Sequence, residues 1–144
     1  MELQKSVSHC VFSPNGSFIV ASVDHTCQIW DARTYGTISN LEGHTSSCDH
    51  FAFSTCGNHI ASASSDHTCR IWSVANITSS RTADDPCKAS VGHTHSQEVK
   101  SCSFSTDGRL FASTSSDSTI RIWDTSTGSC TQVWDEHTDD VWMC

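Results

Sequence analysis

The sequence predicts an all-β protein built from repeated units of about four short antiparallel strands. Three observations predict it. The pattern Asp-x-Thr-x-x-Ile-Trp occurs three times in 144 residues. Serine and threonine together account for 42 residues, which suits short strands with polar turns and suits long helices poorly. No segment keeps an apolar period of 3.6 residues over three turns, so an amphipathic helix is not indicated.

The repeated pattern sets the phase of the whole chain. It starts at Asp24, Asp66 and Asp117 and ends at Trp30, Trp72 and Trp123. A Phe-Ser pair stands 18 or 19 residues before each tryptophan, and a turn signal with a glycine follows each pair. The pairs Gly43-His44 and Gly92-His93 precede the second and third copies, and Glu136-His137 stands where another pair would fall. These features divide the chain into repeats of about 1–42, 43–91 and 92–135, with 136–144 starting a fourth.

Within each repeat, short runs of small, β-branched and aromatic residues lie between glycine and aspartate turns, which is typical of strands. In the first repeat we expect strands near 7–12, 18–23, 27–31 and 36–41. In the second we expect them near 48–53, 59–64, 68–73 and 87–91. In the third we expect them near 99–104, 110–115, 119–124 and 130–134. Val141–Cys144 is similar to the start of a further first strand.

Charge and hydropathy exclude several classes of partner. Eight basic and sixteen acidic residues give a net charge of −8, and the basic residues are scattered singly. Such a chain is poorly suited to a nucleic-acid backbone or an anionic membrane surface. No run approaches 18 apolar residues, and residues 1–11 contain no apolar stretch of a secretory signal. We therefore expect an intracellular protein of the cytoplasm or the nucleus.

The nine cysteines and nine histidines invite a disulfide or metal interpretation. An odd number of cysteines without a secretory signal favours reduced thiols, and most of them stand in predicted strands as small apolar side chains. The Cys and His spacings lack the paired pattern of a zinc site. We expect no metal and no cofactor.

The repeat resembles the WD-repeat signature: a Gly-His pair, then Asp-x-Thr-x-x-Ile-Trp, at about 40–45 residues per copy. The resemblance covers essentially the whole chain. It implies a β-propeller, in which four-stranded antiparallel blades surround a central channel. About three blades and the start of a fourth fit in the chain. Because propellers typically close with 4–8 blades, we expect an incomplete or open propeller. It is part of a longer propeller, a truncated product, or one that completes its ring with a second chain.

In this family the histidine after glycine, a Ser or Thr of the second strand, the turn aspartate and the tryptophan form a hydrogen-bonded tetrad. The resemblance assigns His44, Ser62, Asp66 and Trp72 to the second repeat. It assigns His93, Ser113, Asp117 and Trp123 to the third. In the first repeat only Asp24 and Trp30 transfer, because the Gly-His pair is missing and the serine position falls on Val20. Ser22 would replace that serine only if the strand were shifted.

The same residue types, Ser, His and Asp, form the catalytic set of many hydrolases. Here they recur at structural positions, and the chain has no Gly-x-Ser-x-Gly elbow and no glycine-rich phosphate loop. We therefore expect no enzyme.

The resemblance implies a scaffold or adaptor that binds other proteins or peptides. We expect the partner on the face formed by the loops after Gly-His and the residues before the turn aspartates. The candidate contacts there are Thr45, Ser46, Ser65, Thr94, His95, Gln97, Glu98 and Ser116. The net negative charge points to a basic segment of the partner.

Two further features leave alternatives open. Trp30-Asp31-Ala32-Arg33 resembles the box of WD-repeat substrate receptors of cullin-RING ubiquitin ligases, in which the arginine contacts the adaptor, so Asp31 and Arg33 are candidate contacts. An ordinary exposed arginine is the alternative. The polar stretch Asn76–Lys88 lengthens the second repeat and is either a tolerated insertion or a regulatory loop.

Overall fold

The computed structural model describes residues 7–23, 26–75 and 90–135. These residues form twelve strands. They are β1 Cys10–Phe12, β2 Phe18–Val23, β3 Thr26–Asp31, β4 Thr37–Leu41, β5 Cys48–Phe53, β6 His59–Ser64, β7 Thr68–Ser73, β8 Ser90–Thr94, β9 Val99–Phe104, β10 Leu110–Ser115, β11 Ile120–Asp124 and β12 Cys130–Trp134. The predicted all-β class is confirmed.

The twelve strands form three antiparallel sheets, each with its strands in chain order: β1 to β4, β5 to β8 and β9 to β12. We call these sheets blades 1, 2 and 3. The first strand of each blade contacts the blade beside it, since β1 contacts β5 and β5 contacts β9. Blades 1 and 3 therefore each pack on blade 2. In the part of the chain that the structure describes, no helix is both long and apolar enough to cross a membrane.

The turns between the first and second strands follow one design. The Oγ atoms of Ser13, Ser54 and Ser105 each accept a hydrogen bond from the backbone N–H five residues later, at 2.9–3.0 Å. A glycine three residues after each serine has a positive φ of 69–74°. The Phe-Ser pair and the glycine that follows it therefore form one recurring hairpin turn. The serine stabilises the turn by accepting a backbone hydrogen bond, and the glycine adopts the positive φ that the turn requires.

Two apolar clusters join the blades. One consists of Val20, Cys27, Ile29 and Leu41 of blade 1 with Cys48, Phe51, Ile60 and Trp72 of blade 2, plus Val74. The other consists of Ala61, Ala63, Cys69 and Ile71 of blade 2 with Val99, Cys102, Phe111 and Trp123 of blade 3. Four cysteines thus pack as small apolar side chains, and burial raises the pKa of the Cys69 thiol to about 12.

Two predicted strands differ from the structure by more than one residue at their start. The fourth strand of blade 2 is Ser90–Thr94, later than the predicted 87–91, and it crosses the predicted repeat boundary at residue 91. The first strand of blade 1 is Cys10–Phe12, shorter than the predicted 7–12. The stretch Asn76–Lys88 and the strand expected at Val141–Cys144 lie outside the described residues, as does Asp24.

Candidate functional site: two hydrogen-bonded tetrads and the loops beside them

In blade 2 the four predicted side chains form one chain of hydrogen bonds. Trp72 Nε1 donates to Ser62 Oγ at 2.9 Å. Ser62 Oγ lies 2.7 Å from His44 Nε2, and His44 Nδ1 lies 2.8 Å from an Asp66 carboxylate oxygen. The carboxylate also accepts from the Thr68 hydroxyl at 2.6 Å. Because an ionised carboxylate only accepts, His44 Nδ1 bears the proton and Nε2 accepts from the Ser62 hydroxyl.

This arrangement favours a neutral imidazole beside an ionised carboxylate. Burial lowers the pKa of His44 more than Asp66 raises it. Burial also acts to raise the pKa of Asp66, but hydrogen bonds from Thr68, the Thr45 N–H and His44 outweigh it and hold that pKa at about 2. A second proton on His44 would also leave the Ser62 hydroxyl without an acceptor there. The hydrogen-bonding groups of the tetrad are therefore all paired when His44 is neutral and Asp66 is ionised.

In blade 3 the tetrad histidine is His95, and the assignment of His93 is wrong. His95 Nε2 lies 2.8 Å from Ser113 Oγ, and its Nδ1 lies 2.9 Å from Asp117 Oδ2. Trp123 Nε1 donates to Ser113 Oγ at 2.8 Å. His93 instead lies in β8, where its Cα pairs with that of Cys69.

The error came from following the Gly-His pair. A better signal was present in the spacing, because His44 precedes Asp66 by 22 residues and His95 precedes Asp117 by the same 22. The structure places the Gly92-His93 pair inside strand β8. The residue before the tetrad histidine is Gly43 in blade 2 and Thr94 in blade 3. A glycine before the tetrad histidine is thus not required in blade 3, and the Gly92-His93 pair does not mark the tetrad histidine there.

The same finding shows that the prediction of His95 as a partner contact is wrong. His95 is only 5% exposed, and both ring nitrogens are engaged inside the protein. The pKa of Asp117, like that of Asp66, lies well below its usual value. Burial acts to raise this pKa, but hydrogen bonds from Thr119 and the Ser96 N–H, together with the nearby His95, outweigh the effect of burial. His95 therefore positions the loop rather than touching a partner.

Blade 1 lacks the hydroxyl at the centre of the tetrad. Trp30 pairs with Ile19, as Trp72 pairs with Ile60, and this register places Ala21 at the position of Ser62. Both Ala21 and the expected Val20 are apolar, so either alignment gives the same result. Ser22 accepts hydrogen bonds from the Ser8 and His9 N–H groups at 3.0 and 3.2 Å, so it anchors the first strand instead.

The tetrad aspartates fix the neighbouring loops. Asp66 accepts from the Thr45 N–H and Asp117 from the Ser96 N–H, each at 3.0 Å. The turn residues are tied to the same loops, because the Ser65 N–H donates to the Ser47 carbonyl and the Ser116 N–H to the Glu98 carbonyl, each at 3.0 Å. We call the surface formed by Thr45–Ser47, Ser65, Ser96–Glu98 and Ser116 the tetrad face.

Charged side chains connect blades 2 and 3 at this surface. The Ser65 hydroxyl donates to Asp49 Oδ2 at 2.9 Å, and Lys100 Nζ lies 3.9 Å from the same oxygen. Lys100 also pairs with Glu98, whose side chain stays 47% exposed. Thr45 and Gln97 are exposed, while Ser46, Ser65 and Ser116 are half-buried. Thr94 is exposed at the end of β8, and its carbonyl accepts from Arg121 at 3.0 Å.

Asp31 and Arg33 lie in the turn between β3 and β4, at the opposite end of the blade from the tetrad face. Asp31 accepts from the backbone N–H groups of Arg33 and Thr34, each at 2.8 Å, and these bonds lower its pKa. Asp124 accepts in the same way from Ser126 and Thr127 in blade 3. The aspartate after the tryptophan thus caps the turn. Within the Trp30-Asp31-Ala32-Arg33 motif, Arg33 is exposed to solvent.

Sequence reasoning missed two histidines that join blades. His9 Nδ1 accepts from the Phe51 N–H at 3.2 Å, and His50 Nδ1 lies 3.5 Å from the Cys102 nitrogen. The two rings stack with centroids 4.2 Å apart. His9 and His50 stand three residues before Phe12 and Phe53, and this equal spacing was the available signal.

The serines of the tetrads are poorly placed for hydrolysis. Ser62 and Ser113 are 0% exposed, and each Oγ already accepts from an indole N–H. A substrate carbonyl has no path to either oxygen. Among the residues that the structure describes, no group of three or more His, Cys, Asp or Glu side chains is placed to bind a metal ion.

Three consecutive four-stranded blades, two of them closed by a Trp–Ser–His–Asp tetrad, define a segment of a β-propeller. The chain belongs to the WD-repeat family: the family model described as "WD domain, G-beta repeat" matches residues 2–31, 36–73 and 86–124.

Several curated proteins are similar to the chain. The guanine nucleotide-binding protein subunit beta of Arabidopsis thaliana is 33% identical over 138 residues, which is 92% of this chain and 35% of that protein. Mitochondrial division protein 1 of Kluyveromyces lactis is 29% identical over 117 residues, or 79% of the chain and 16% of that protein. Autophagy-related protein 16 of Arabidopsis thaliana is 27% identical and is matched over 23% of its length. The chain thus spans about a third or less of these relatives.

Solved structures share the fold. The structures titled "Structure of U3-55K" and "Crystal structure of RRP9 WD40 repeats" each superpose with a TM-score of 0.84 at 21% identity. Each match covers 99% of this chain and 43% or 42% of the other. The resemblance to WD-repeat blades predicted from the sequence is confirmed.

Proposed function

We propose that this chain is a protein-interaction scaffold and that its partner binds the tetrad face. The observation on which the proposal rests is the pair of loops that the two tetrads fix beside each other. Thr45 and Ser96 are bonded through their N–H groups to aspartates whose side chains are buried, while Thr45, Ser96 and Gln97 are themselves exposed. Rigid, exposed loops on a fixed framework are what recognition of a protein surface requires.

The charge of the tetrad face favours a basic partner segment. The Glu98 side chain is 47% exposed and Asp49 is half-buried, and Lys100 lies between the two carboxylates. Glu42, at the start of the loop that contains Thr45, is also exposed. Complementary charge contributes mainly to the rate and selectivity of association, so we expect binding to weaken as salt is added.

The family supports this function more than any single relative does. WD repeats form scaffolds for protein assembly, and one relative is by name a subunit of a guanine nucleotide-binding protein. The ubiquitin-ligase alternative depends on Arg33 alone, at the other end of the blade, and stays a prediction.

The test compares capture by two variants that change charge equally at opposite ends. Thr45→Arg with Gln97→Arg adds two positive charges to the tetrad face. Asn58→Arg with Thr106→Arg adds two at exposed turn positions of the opposite end. Immobilised wild-type and variant chains are exposed to cell lysate at two salt concentrations, and the bound proteins are quantified by mass spectrometry.

We expect a set of proteins that binds the wild-type chain and the opposite-end variant, is lost from the tetrad-face variant, and weakens with salt. Retention of the whole set by the tetrad-face variant would contradict the proposal. So would equal loss from both variants.

A further inference from the structure

The first strand of each blade is an end strand of its sheet, so some of its backbone N–H groups point away from that sheet. β5 is the end strand of blade 2, and β9 is the end strand of blade 3. An end strand presents N–H groups that its own sheet does not pair. Phe51 pairs in register with Ser62 and Cys102 with Ser113, so the two N–H groups stand at equivalent positions. An imidazole of the preceding blade accepts a hydrogen bond from each of them.

The two imidazoles join the three blades. The Phe51 N–H donates to His9 Nδ1 at 3.2 Å, and the Cys102 N–H donates to His50 Nδ1 at 3.5 Å. His9 therefore connects blade 1 to blade 2, and His50 connects blade 2 to blade 3. The rings stack with their centroids 4.2 Å apart and with 29° between their planes. We call the two rings the histidine stack.

Both inter-blade bonds require an unprotonated Nδ1. A ring nitrogen that accepts a hydrogen bond bears no proton, so each neutral ring carries its proton on Nε2. A second proton on either ring would turn Nδ1 into a donor that faces a backbone N–H. Protonation of both rings would also place two positive charges 4.2 Å apart. The two bonds are therefore made only while both imidazoles are neutral.

The ionisable groups around the histidine stack leave it neutral. Among the described strands that pack with β1 and β5, the other ionisable side chains are Cys10, Asp49, Lys100, Cys102 and, at the far start of β6, His59. Asp49 and Lys100 lie 3.9 Å apart, so their opposite charges offset each other. Burial lowers the pKa of both stacked histidines, and the charge of a protonated His9 lowers the pKa of His50 further.

We propose that His9 and His50 form a pH-sensitive joint between the blades, which is closed while both rings are neutral and is opened by their protonation. Opening separates β5 from β9, the two strands whose Asp49 and Lys100 meet at the tetrad face. Because Phe51 and Cys102 stand opposite the tetrad serines, the same strands adjoin the tetrads. A partner on the tetrad face is therefore released in acid. This release rests on the proposed function, whereas the opening of the joint does not.

Buried thiols report the opening of each interface. Cys27 and Cys48 belong to the apolar cluster between blades 1 and 2, and Cys69 and Cys102 belong to the cluster between blades 2 and 3. The full chain is treated with a pyridyl disulfide reagent at pH 7.5 and pH 5.5 without denaturant, and mass spectrometry identifies each labelled thiol. Two exposed thiols correct for the effect of pH on the reagent: Cys10 and Cys130.

Acid should speed the labelling of the buried thiols. An open-state imidazole with the ordinary pKa near 6.5 binds a proton at pH 5.5 that the closed stack excludes. We therefore expect labelling to be about tenfold faster at pH 5.5 than at pH 7.5, relative to the exposed thiols.

His9→Asn together with His50→Asn separates protonation from loss of the bonds. The asparagine Oδ1 stands where the histidine Nδ1 does, so it accepts the same backbone bond but takes up no proton. We expect this double variant to label like wild type at pH 7.5 and to lack most of the acceleration at pH 5.5. His44 and His95 are kept in every variant, so the comparison isolates the histidine stack.

His59→Asn is the matched control. His59 is also half-buried, but it lies at the start of β6 and outside the stack, so this variant should keep the acceleration. Far-UV circular dichroism checks the fold of each variant, and the two single substitutions replace a double variant that does not fold. Equal labelling of the buried thiols at both pH values would overturn the proposal. So would an acceleration that the double variant keeps in full.

Capture from lysate at pH 5.5 tests the consequence for binding. The proteins whose capture depends on the tetrad face should be lost from the wild-type chain and kept by the double variant. Equal capture by the wild-type chain at both pH values, or equal loss from both chains in acid, would overturn the release. A joint that opens in a chain with no tetrad-face-dependent capture would support the joint and contradict the proposed function.

Discussion

The Nε2 atom of His95 lies 2.8 Å from the Oγ atom of Ser113, although the sequence motif points to His93. The same serine oxygen accepts a bond from the Trp123 indole at 2.8 Å, so one buried hydroxyl links three elements of blade 3. On the other side, the imidazole reaches Asp117, which fixes the loop at Ser96. A buried network therefore determines the shape of an exposed surface.

Loss of the Ser113 hydroxyl should destabilise the protein. In Ser113→Ala the indole N–H of Trp123 and the Nε2 of His95 both lose their buried partner, so we expect a loss of about 2 kcal/mol or more of unfolding free energy. Urea titration followed by tryptophan fluorescence measures it. Ser129→Ala is the matched control, because Ser129 is exposed in a turn, and its unfolding midpoint should stay unchanged. An equal shift in both variants would contradict the account.

The protein should lose stability as the pH falls below about 6.5. Burial lowers the pKa of His44 and His95 in the folded state, and also that of His9 and His50, so the unfolded chain binds protons first. This contribution is complete above the unfolded value near 6.5 and is lost as the pH falls towards the folded values. A second loss follows below pH 4, down to the Asp66 pKa of about 2.

Urea titrations between pH 8 and pH 3 test this order of events. Asp66→Asn should remove part of the loss below pH 4 while keeping the loss near pH 6. A stability that rises when the solution is acidified from pH 7 to pH 5 would mean that these imidazoles are not held neutral.

Replacing Gly57 by alanine should cost stability through the backbone alone. Gly57 has a φ of 74°, and a Cβ there would meet only the Pro14 Cδ, at an ordinary 3.7 Å. The left-handed conformation costs a residue with a Cβ about 1–2 kcal/mol, so we expect a loss of that size in thermal or urea unfolding. The control is Gly36→Ala, at a glycine without a positive φ and with similar space, 3.5 Å from Thr34 Oγ1. A neutral Gly57→Ala would show that the hairpin adopts another turn.

Arg33→Ala should leave both stability and the captured proteins unchanged. The arginine is exposed, and the turn is capped by Asp31 through backbone N–H groups that the substitution keeps. We expect an unfolding free energy within about 0.5 kcal/mol of wild type. Capture from lysate is the second readout. Loss of a ubiquitin-ligase adaptor in this variant alone would favour the receptor alternative over the scaffold.

The strands were predictable because glycine and aspartate turns bound each one in every repeat. β6, for example, was expected at 59–64 and is His59–Ser64. β8 was placed three residues too early, at 87–91 directly after Pro86, whereas the strand is Ser90–Thr94. His95 was missed because the Gly-His pair was given more weight than the 22-residue distance to Asp117. The contact of His9 with Phe51 joins two blades, and no pattern inside one repeat reveals a bond to the next.

The most direct test of the account compares His95→Ala with His93→Ala in urea unfolding. The tetrads fix the tetrad face, and the His95 imidazole is the group that joins Ser113 to Asp117 in blade 3. We expect His95→Ala to lose about 2–3 kcal/mol, since two buried polar groups lose a partner, and His93→Ala to lose less than about 1 kcal/mol. The reverse order, with His93→Ala the more damaging, would contradict the assignment of His95 and with it the geometry of the proposed binding face.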